Sequence, residues 1–163
     1  GETGLDYFYE HSPKKLQQEF LKKYLTMASD LKLPVIMHCR EAFNDLKSII
    51  CDYYPSNSIL LHCFTGTEEE AFLAVEEGWM ISISGIVTFK NSGALRNTVS
   101  KIPMDRLMVE TDTPYLAPQS KRGLVNEPSY IGETVKMLSE VKSLSEEDIA
   151  SITAANACRF FHI

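Results

Sequence analysis

The 163-residue sequence predicts an α/β fold built on parallel strands, either an α/β barrel or a doubly wound sheet. Three observations lead there. Short apolar runs alternate with helical patterns along the chain, several of those runs end in a ligand-type residue, and no linker or low-complexity segment interrupts the alternation. A strand that follows a helix returns to the same end of the sheet as the strand before it, so the pairing is parallel.

The opening block "GETGLDY" has the character of a strand end with its exit turn, beginning at Gly1-Glu2. Pro13 is a good first helical residue, and "KKLQQEFLKKYLTMASD" then sets Leu16, Phe20, Tyr24 and Met27 on one stripe with lysines and glutamines opposite, an amphipathic helix. "LPVIMHCR" is a short apolar run ending at His38, the pattern of a buried strand. "EAFNDLKSII" is helical by the spacing of Phe43, Leu46, Ile49 and Ile50, and the turn "YPSNS" leads to a second histidine-ended run, "ILLHCF".

Thr67 and Glu70 form a capping box for "TEEEAFLAVEE", Gly78 stops that helix, and "WMISISG" follows as a strand. A weak helix covers "SGALRNTVSKI". The strand in "RLMVETDTPYL" ends in carboxylates, and Pro114 prevents its extension. One closing helix opens near Pro128 with Ile131, Val135 and Leu138 inward; the other is capped by Ser145 and Asp148. These are four clear strands plus the end of a fifth. An eight-stranded barrel needs about 250 residues, so the chain is expected to be the later part of one.

Composition limits the partners. Apolar residues make up 44% of the chain, enough for a sizeable core, while a net charge of -6 supplies no global attraction for polyanions. Any nucleic-acid binding must therefore be local. Cys39, Cys51, Cys63 and Cys158 lie far apart with no C-x-x-C pair, which fits reduced thiols and a cytoplasmic protein. Neither a membrane span nor a signal peptide is expected.

In parallel α/β folds, side chains at the C-terminal ends of strands converge on one mouth. Four such ends carry Glu2, His38, His62 and Asp112, a mixed nitrogen and oxygen donor set suited to a divalent ion. Strand alternation puts Ile36, His38 and Arg40 on one face and Met37 and Cys39 on the other; likewise Leu60, His62 and Phe64 share a face, with Cys63 opposite. By the same rule Glu110 lies on the side of Asp112, and Ser82 and Ser84 face the mouth, leaving room for a substrate. Glu110 is either an inward acid beneath the site or the partner of a base, and Arg40 either clamps a phosphate or balances nearby carboxylates. The cysteines are expected to pack as small apolar groups, and His11 and His162 receive no role.

The blocks "GETGLDY", "PVIMHCR", "LHCFTG", "SISGIVTF", "VETDTPYLAP" and "NACRFF" resemble, in order and spacing, the TatD family of metal-dependent deoxyribonucleases, above all its bacterial branch. The resemblance implies a (β/α)8 TIM barrel of the amidohydrolase-like type, with residues 1–163 forming the C-terminal part of one domain, from the end of strand 4 through strand 8 and the closing helices. It also implies one or two divalent ions (Mg, Mn or Zn) on Glu2, His38, His62 and Asp112, and hydrolysis of phosphodiester bonds in DNA. The family's N-x-P segment resembles Asn126 to Pro128, which makes Asn126 an expected groove residue. Family members carry a His-x-His pair on an earlier strand, and this sequence has none.

In the mechanism so implied, Glu2 bridges the ions, His38 and His62 hold one of them, Asp112 binds metal and orients or deprotonates the attacking water, and Arg40 meets the phosphate. Two alternatives stand beside it: a metal-dependent lactonase or amidohydrolase with the same ligands, and an inactive fragment that only binds. No obligate protein partner is expected, although the open sheet edges of a partial barrel invite self-association.

Overall fold

The computed structural model describes residues 2–9, 11–55 and 58–163. Gly1 of the opening block and Ser56 and Asn57 of the expected turn lie outside the described residues. Five strands alternate with helices: β1 (Glu2–Asp6), α1 (Lys14–Leu31), β2 (Val35–Arg40), α2 (Phe43–Tyr53), β3 (Ile59–Leu61), α3 (Glu68–Glu76), β4 (Met80–Ile83), α4 (Gly93–Lys101), β5 (Leu107–Val109), α5 (Ile131–Lys142) and α6 (Glu146–Phe161). The strands form one sheet in the order β1-β2-β3-β4-β5, and every pair is parallel. This is the α/β architecture expected from the alternation. Among the described residues β1 and β5 each have a neighbour on one side only.

The sheet separates two unequal cores. Leu5, Met37, Ile59, Leu61, Ile81, Ile83 and Leu107 point into the larger one, where they meet Leu21, Leu46, Ile50, Val99, Leu138 and Ile149 of the helices and Trp79. On the other face Leu60, Met80 and Met108 meet Phe160 of α6, with Ile36 and Ala157 alongside. This smaller cluster lies below the histidines. The two faces follow the period of two, so the residues above Ile36 and Leu60 on the same face are His38 and His62.

Local signals in the sequence explain the helix ends. Thr67 Oγ1 accepts from Glu70 N at 3.2 Å and Glu70 Oε2 accepts from Thr67 N at 2.7 Å, the capping box at the start of α3. Ser145 Oγ accepts from Asp148 N at 3.0 Å at the start of α6. Gly78 has φ 79, a left-handed turn after α3 that glycine adopts without a Cβ penalty.

Four expectations change. The opening block, expected to be a strand end with its exit turn, is itself strand β1, Glu2–Asp6, with Glu2 as its first residue and not its last. The expected stripe of α1 is the exposed one: Leu16, Phe20, Tyr24 and Met27 keep 41%, 46%, 50% and 57% of their surface, whereas Leu21 and Leu25 are buried against the sheet. Each fully buried leucine contributes about 1.5–3 kcal/mol, and the sheet takes the face whose aliphatic side chains fit its pleat. The strand expected to reach the carboxylates ends at Val109, and Asp112, three residues further on, takes φ 59, outside the extended region. In α5 Leu138 is buried and Val135 partly so, but Ile131 is 36% exposed. No helix among the described residues is long and apolar enough to cross a membrane.

Candidate metal centre

β1 and β2 pair with Gly4 level with His38, Glu2 level with Ile36 and Asp6 level with Arg40. Glu2, Gly4 and Asp6 share one face of β1, so the two acids bracket His38 from the neighbouring strand. A Cβ on Gly4 would lie 1.9 Å from the carbonyl oxygen of His38, so only glycine permits this approach. His62 follows the last residue of β3, and its N–H donates to Met37 O at 3.0 Å, which holds it beside His38.

Three donor atoms meet at this point. Glu2 Oε1 lies 3.1 Å from His38 Nδ1 and 3.1 Å from His62 Nε2, and the two ring nitrogens are 3.4 Å apart. Two ligands each about 2.0–2.1 Å from one ion, at angles of roughly 90–110°, are separated by about 3.0–3.4 Å. The triangle therefore has the dimensions of one face of a coordination polyhedron. His62 also belongs to a second group with Glu110 and Asp112, whose ligand atoms all lie within 4.8 Å of one another. The four expected ligands are thus joined through His62, and Glu110 enters as a fifth group.

The outer nitrogen of each histidine faces a carboxylate. His38 Nε2 lies 3.0 Å from Asp6 Oδ2, and His62 Nδ1 lies 3.5 Å from Glu110 Oε1. With Nε2–H of His38 donating to Asp6, its Nδ1 lone pair points at Glu2 and His62; with the proton of His62 on Nδ1, its Nε2 does the same. Such outer carboxylates fix the tautomer of metal-binding histidines and raise their basicity. Both acids are themselves held. Asp6 Oδ1 accepts from Phe8 N and Tyr9 N at 2.9 Å each, and Ser82 Oγ donates to Glu110 Oε2 at 2.7 Å. Glu110 Oε1 is buried with no full hydrogen bond of its own, its nearest base being His62 at that long distance.

Electrostatics point the same way. Burial disfavours the His62 imidazolium, but its contact with Glu110 and the charges of Glu110, Glu2 and Asp112 outweigh this and raise its pKa above the ordinary value. The Asp112 pKa is raised by burial first and then by the negative charges of Glu110 and Glu2. For Asp6 burial pushes upward, yet the Tyr9 and Phe8 N–H groups and His38 bring the net shift downward. Among the described residues no lysine or arginine forms a salt bridge with Glu2, Glu110 or Asp112. Three carboxylates with two imidazoles and no balancing cation fit a divalent ion, so the donor set passes the chemical test as well as the geometric one.

Left-handed backbone marks the same rim. Glu41, Cys63 and Asp112 have φ values of 54, 46 and 59, and each lies one to three residues past the end of a strand that leads into the site. Such conformations are costly for residues with a Cβ and persist where the surroundings over-determine them. The turn at Cys63 also ends the period of two. Cys63 Sγ lies 3.1 Å from Ser84 Oγ rather than under the helices, and Phe64 joins the helix-side core instead of the face of His62. Ser82 and Ser84 are buried, not open to the mouth, since Ser82 serves Glu110 and Ser84 meets Cys63.

Asn126 is 2% exposed. Its Nδ2 donates to Thr111 O at 2.5 Å and Tyr115 O at 2.6 Å, and its Oδ1 accepts from Glu127 N at 3.0 Å. The side chain is spent on the loop that carries Asp112 and has no surface to offer a groove. Arg40 lies on the rim with its guanidinium over the rings of Phe8 and Tyr9, at 4.1 and 4.7 Å from their centroids. A hollow of about 300 Å³ beside the triangle is lined by Glu2, Thr3, Gly4, Asp6, Gln17 and His38. Of these, Asp6 escaped the sequence reading, although its place two residues past Gly4 on the face of Glu2 was visible.

The chain is similar in sequence and in fold to known proteins. The chain matches the family described as "TatD related DNase" over residues 1–162. It is 40% identical over 164 residues to the uncharacterized metal-dependent hydrolase YabD of Bacillus subtilis, covering 100% of this chain and 64% of that protein. It is 36% identical over 169 residues to the 3'-5' ssDNA/RNA exonuclease TatD of Erwinia tasmaniensis, covering 100% of this chain and 65% of that one. The crystal structure of YJJV, a TatD homolog from Escherichia coli K12, superposes with a TM-score of 0.93 at 27% identity, over 100% of this chain and 63% of YJJV. The chain therefore spans slightly less than two thirds of the length of these relatives.

Proposed function

The chain belongs to the family of TatD-related DNases, and from that membership we propose that it hydrolyses phosphodiester bonds in DNA with one or two divalent ions held by Glu2, His38, His62 and Asp112. The observation that carries this is the triangle of Glu2 Oε1, His38 Nδ1 and His62 Nε2, with edges of 3.1, 3.1 and 3.4 Å and, among the described residues, no lysine or arginine in a salt bridge with Glu2. The exonuclease name of the Erwinia relative supports nucleic acid as the substrate class.

A bound divalent ion supplies Lewis-acid polarisation of a phosphoryl oxygen and acidifies water. The remaining work falls to the chain's own groups. Asp6 and Glu110 keep the outer nitrogens of His38 and His62 protonated, so that both inner lone pairs stay in the triangle. Asp112, made more basic than an ordinary carboxylate by burial and by Glu110, takes the proton from the attacking water. Arg40 meets a non-bridging phosphate oxygen through the N–H edges of its guanidinium. Carboxylates favour magnesium or manganese and imidazoles favour zinc, so the mixed set admits each.

On the same footing, residues 1–163 are proposed to be the later part of a single barrel domain, further strands joining at β1 and β5. In the chain alone those edges favour self-association, which light scattering across a concentration series registers.

The function is tested with a panel of a single-stranded oligonucleotide, a duplex, bis(4-nitrophenyl) phosphate and a lactone, each with and without chelator. Cleavage of the phosphodiesters that stops on chelation and returns with manganese or zinc is the expected result. Turnover of the lactone alone, or phosphodiester turnover that ignores the chelator, ends the proposal.

A further inference from the structure

A second hollow, of about 160 Å³, lies at the end of the sheet opposite the metal centre. One wall comes from the strand starts, where Ser58 precedes β3 and Arg106 precedes β5; the other comes from the end of α6, which supplies Asn156, Arg159 and His162. Two guanidiniums and an imidazole thus line one hollow in a chain whose net charge is -6, and no lining residue is an acid. Cations favour a helix C-terminus, which accounts for Arg159 and His162 at the end of α6. It does not account for Arg106, which reaches the hollow from the other wall.

Both arginines are held by neutral oxygens. Arg106 Nη1 donates to Gly78 O at 3.0 Å, and Arg159 Nη2 donates to Asn156 Oδ1 at 2.8 Å and to Asp105 O at 3.3 Å. Asn156, 2% exposed, is itself fixed, its Nδ2 donating to Met104 O and Leu107 O at 2.7 Å each. Among the described residues Arg159 forms no salt bridge, and Arg106 has only Asp105, whose Oδ2 stands 3.9 Å from Arg106 Nε, beyond hydrogen-bond distance, on a side chain 67% exposed. Carbonyl and amide oxygens orient a guanidinium without cancelling its charge. Each arginine therefore keeps its positive charge and unspent N–H groups, on Nη2 of Arg106 and on Nη1 and Nε of Arg159. Pre-oriented forks of this kind match the oxygens of a phosphate.

We propose that Arg106, Arg159, His162 and Ser58 form a binding site for a phosphate-type oxyanion, remote from the metal centre, in which the bound anion joins the end of α6 to the starts of β3 and β5. Phe160 of α6 packs against Leu60, Met80 and Met108 on the face that carries the histidines, so an anion in the hollow braces the closing helix beneath the metal site. The site stands independently of the phosphodiesterase function proposed above.

The test is titration of the 163-residue chain with inorganic phosphate in chelator, read by phosphorus NMR and by melting, against sodium chloride of equal ionic strength. Saturable binding, with Tm rising as the site fills, is the expected result. Arg106→Met and Arg159→Met should each weaken it about tenfold or more, the loss of hydrogen bonds to a charged group. Ser58→Glu puts a carboxylate into the hollow; it should raise Tm without phosphate and abolish the response to it. Glycerol phosphate in place of phosphate separates the sources: equal binding makes phosphate esters occupants as well, and its failure to bind restricts the site to the free ion. A Tm rise that never saturates is the general effect of an excluded salt and overturns the site. So does a folded arginine variant, by circular dichroism, that binds phosphate as the parent does. Where an arginine variant fails to fold, the Ser58→Glu protein decides, since a phosphate response equal to the parent's also overturns the site.

Discussion

Glu2 and Asp6 stand two residues to either side of Gly4 on β1 and engage opposite nitrogens of the same imidazole: Glu2 Oε1 lies 3.1 Å from His38 Nδ1, and Asp6 Oδ2 lies 3.0 Å from its Nε2. One strand thus provides both a donor in the triangle and the group that orients a second donor. The side-chain period of two makes this possible, and Gly4, lacking a side chain between the acids, lets the strands approach.

Removal of a triangle member should abolish metal binding, while removal of an outer acid should only weaken it. Asp6→Asn and Glu110→Gln are each expected to lower affinity for zinc or manganese by about 10–100-fold, and His38→Ala and His62→Ala by more than that. Titration calorimetry, or competition with a chromogenic chelator, reads both effects. Equal affinity in the Asp6→Asn protein would show that His38 needs no outer partner.

The acid-rich site fixes the sign of the pH dependence. The raised His62 pKa means that the metal-free folded chain holds a proton more tightly than the unfolded one; that stabilisation is full below about 6.5 and is lost as pH rises through the folded value. Ionisation of Asp112, whose pKa is also raised, costs stability as pH climbs from about 3.9 through its folded value. Metal binding requires His62 neutral and Asp112 ionised, so the rise in Tm on adding metal should grow with pH through the raised His62 pKa. Melting curves with metal and with chelator, from pH 5 to 8, check this, and a metal effect largest at acid pH would contradict it.

The thiols should divide into two classes. Burial pushes Cys39 and Cys63 up to about 12, whereas Cys51 and Cys158 are exposed. Against an ordinary thiol near 8.5, such a shift lowers the thiolate fraction at pH 8 roughly a thousandfold. Ellman's reagent should therefore modify two groups rapidly and the other two only on unfolding. Four equal rates would place Cys39 and Cys63 in contact with solvent.

Gly4→Ala tests the closeness of β1 and β2. The added methyl would meet the His38 carbonyl at 1.9 Å, and parting the strands should cost about 1–3 kcal/mol. Because those strands carry Glu2 and His38, metal affinity should fall together with the urea midpoint. Loss of stability with full affinity would show that the triangle tolerates a shift of β1.

The sequence by itself determined the alternation of strands and helices, the capping box of α3, and the placing of His38 in β2 and of His62 next to β3, because each depends on local periodicity or on a few neighbouring residues; Glu2 instead opens β1, and Asp112 lies three residues past β5. Tertiary structure decided the rest. Periodicity finds an apolar stripe on α1 but cannot say that the sheet takes Leu21 and Leu25 and leaves Phe20 and Tyr24 exposed. Alternation predicts the facing of Cys63 and Phe64 only while the strand lasts, and β3 stops at Leu61. The partnership of Asp6 with His38 and of Ser82 with Glu110 joins residues 32 and 28 positions apart. Such pairings depend on strand register, which is set by how whole faces pack rather than by any short stretch of chain.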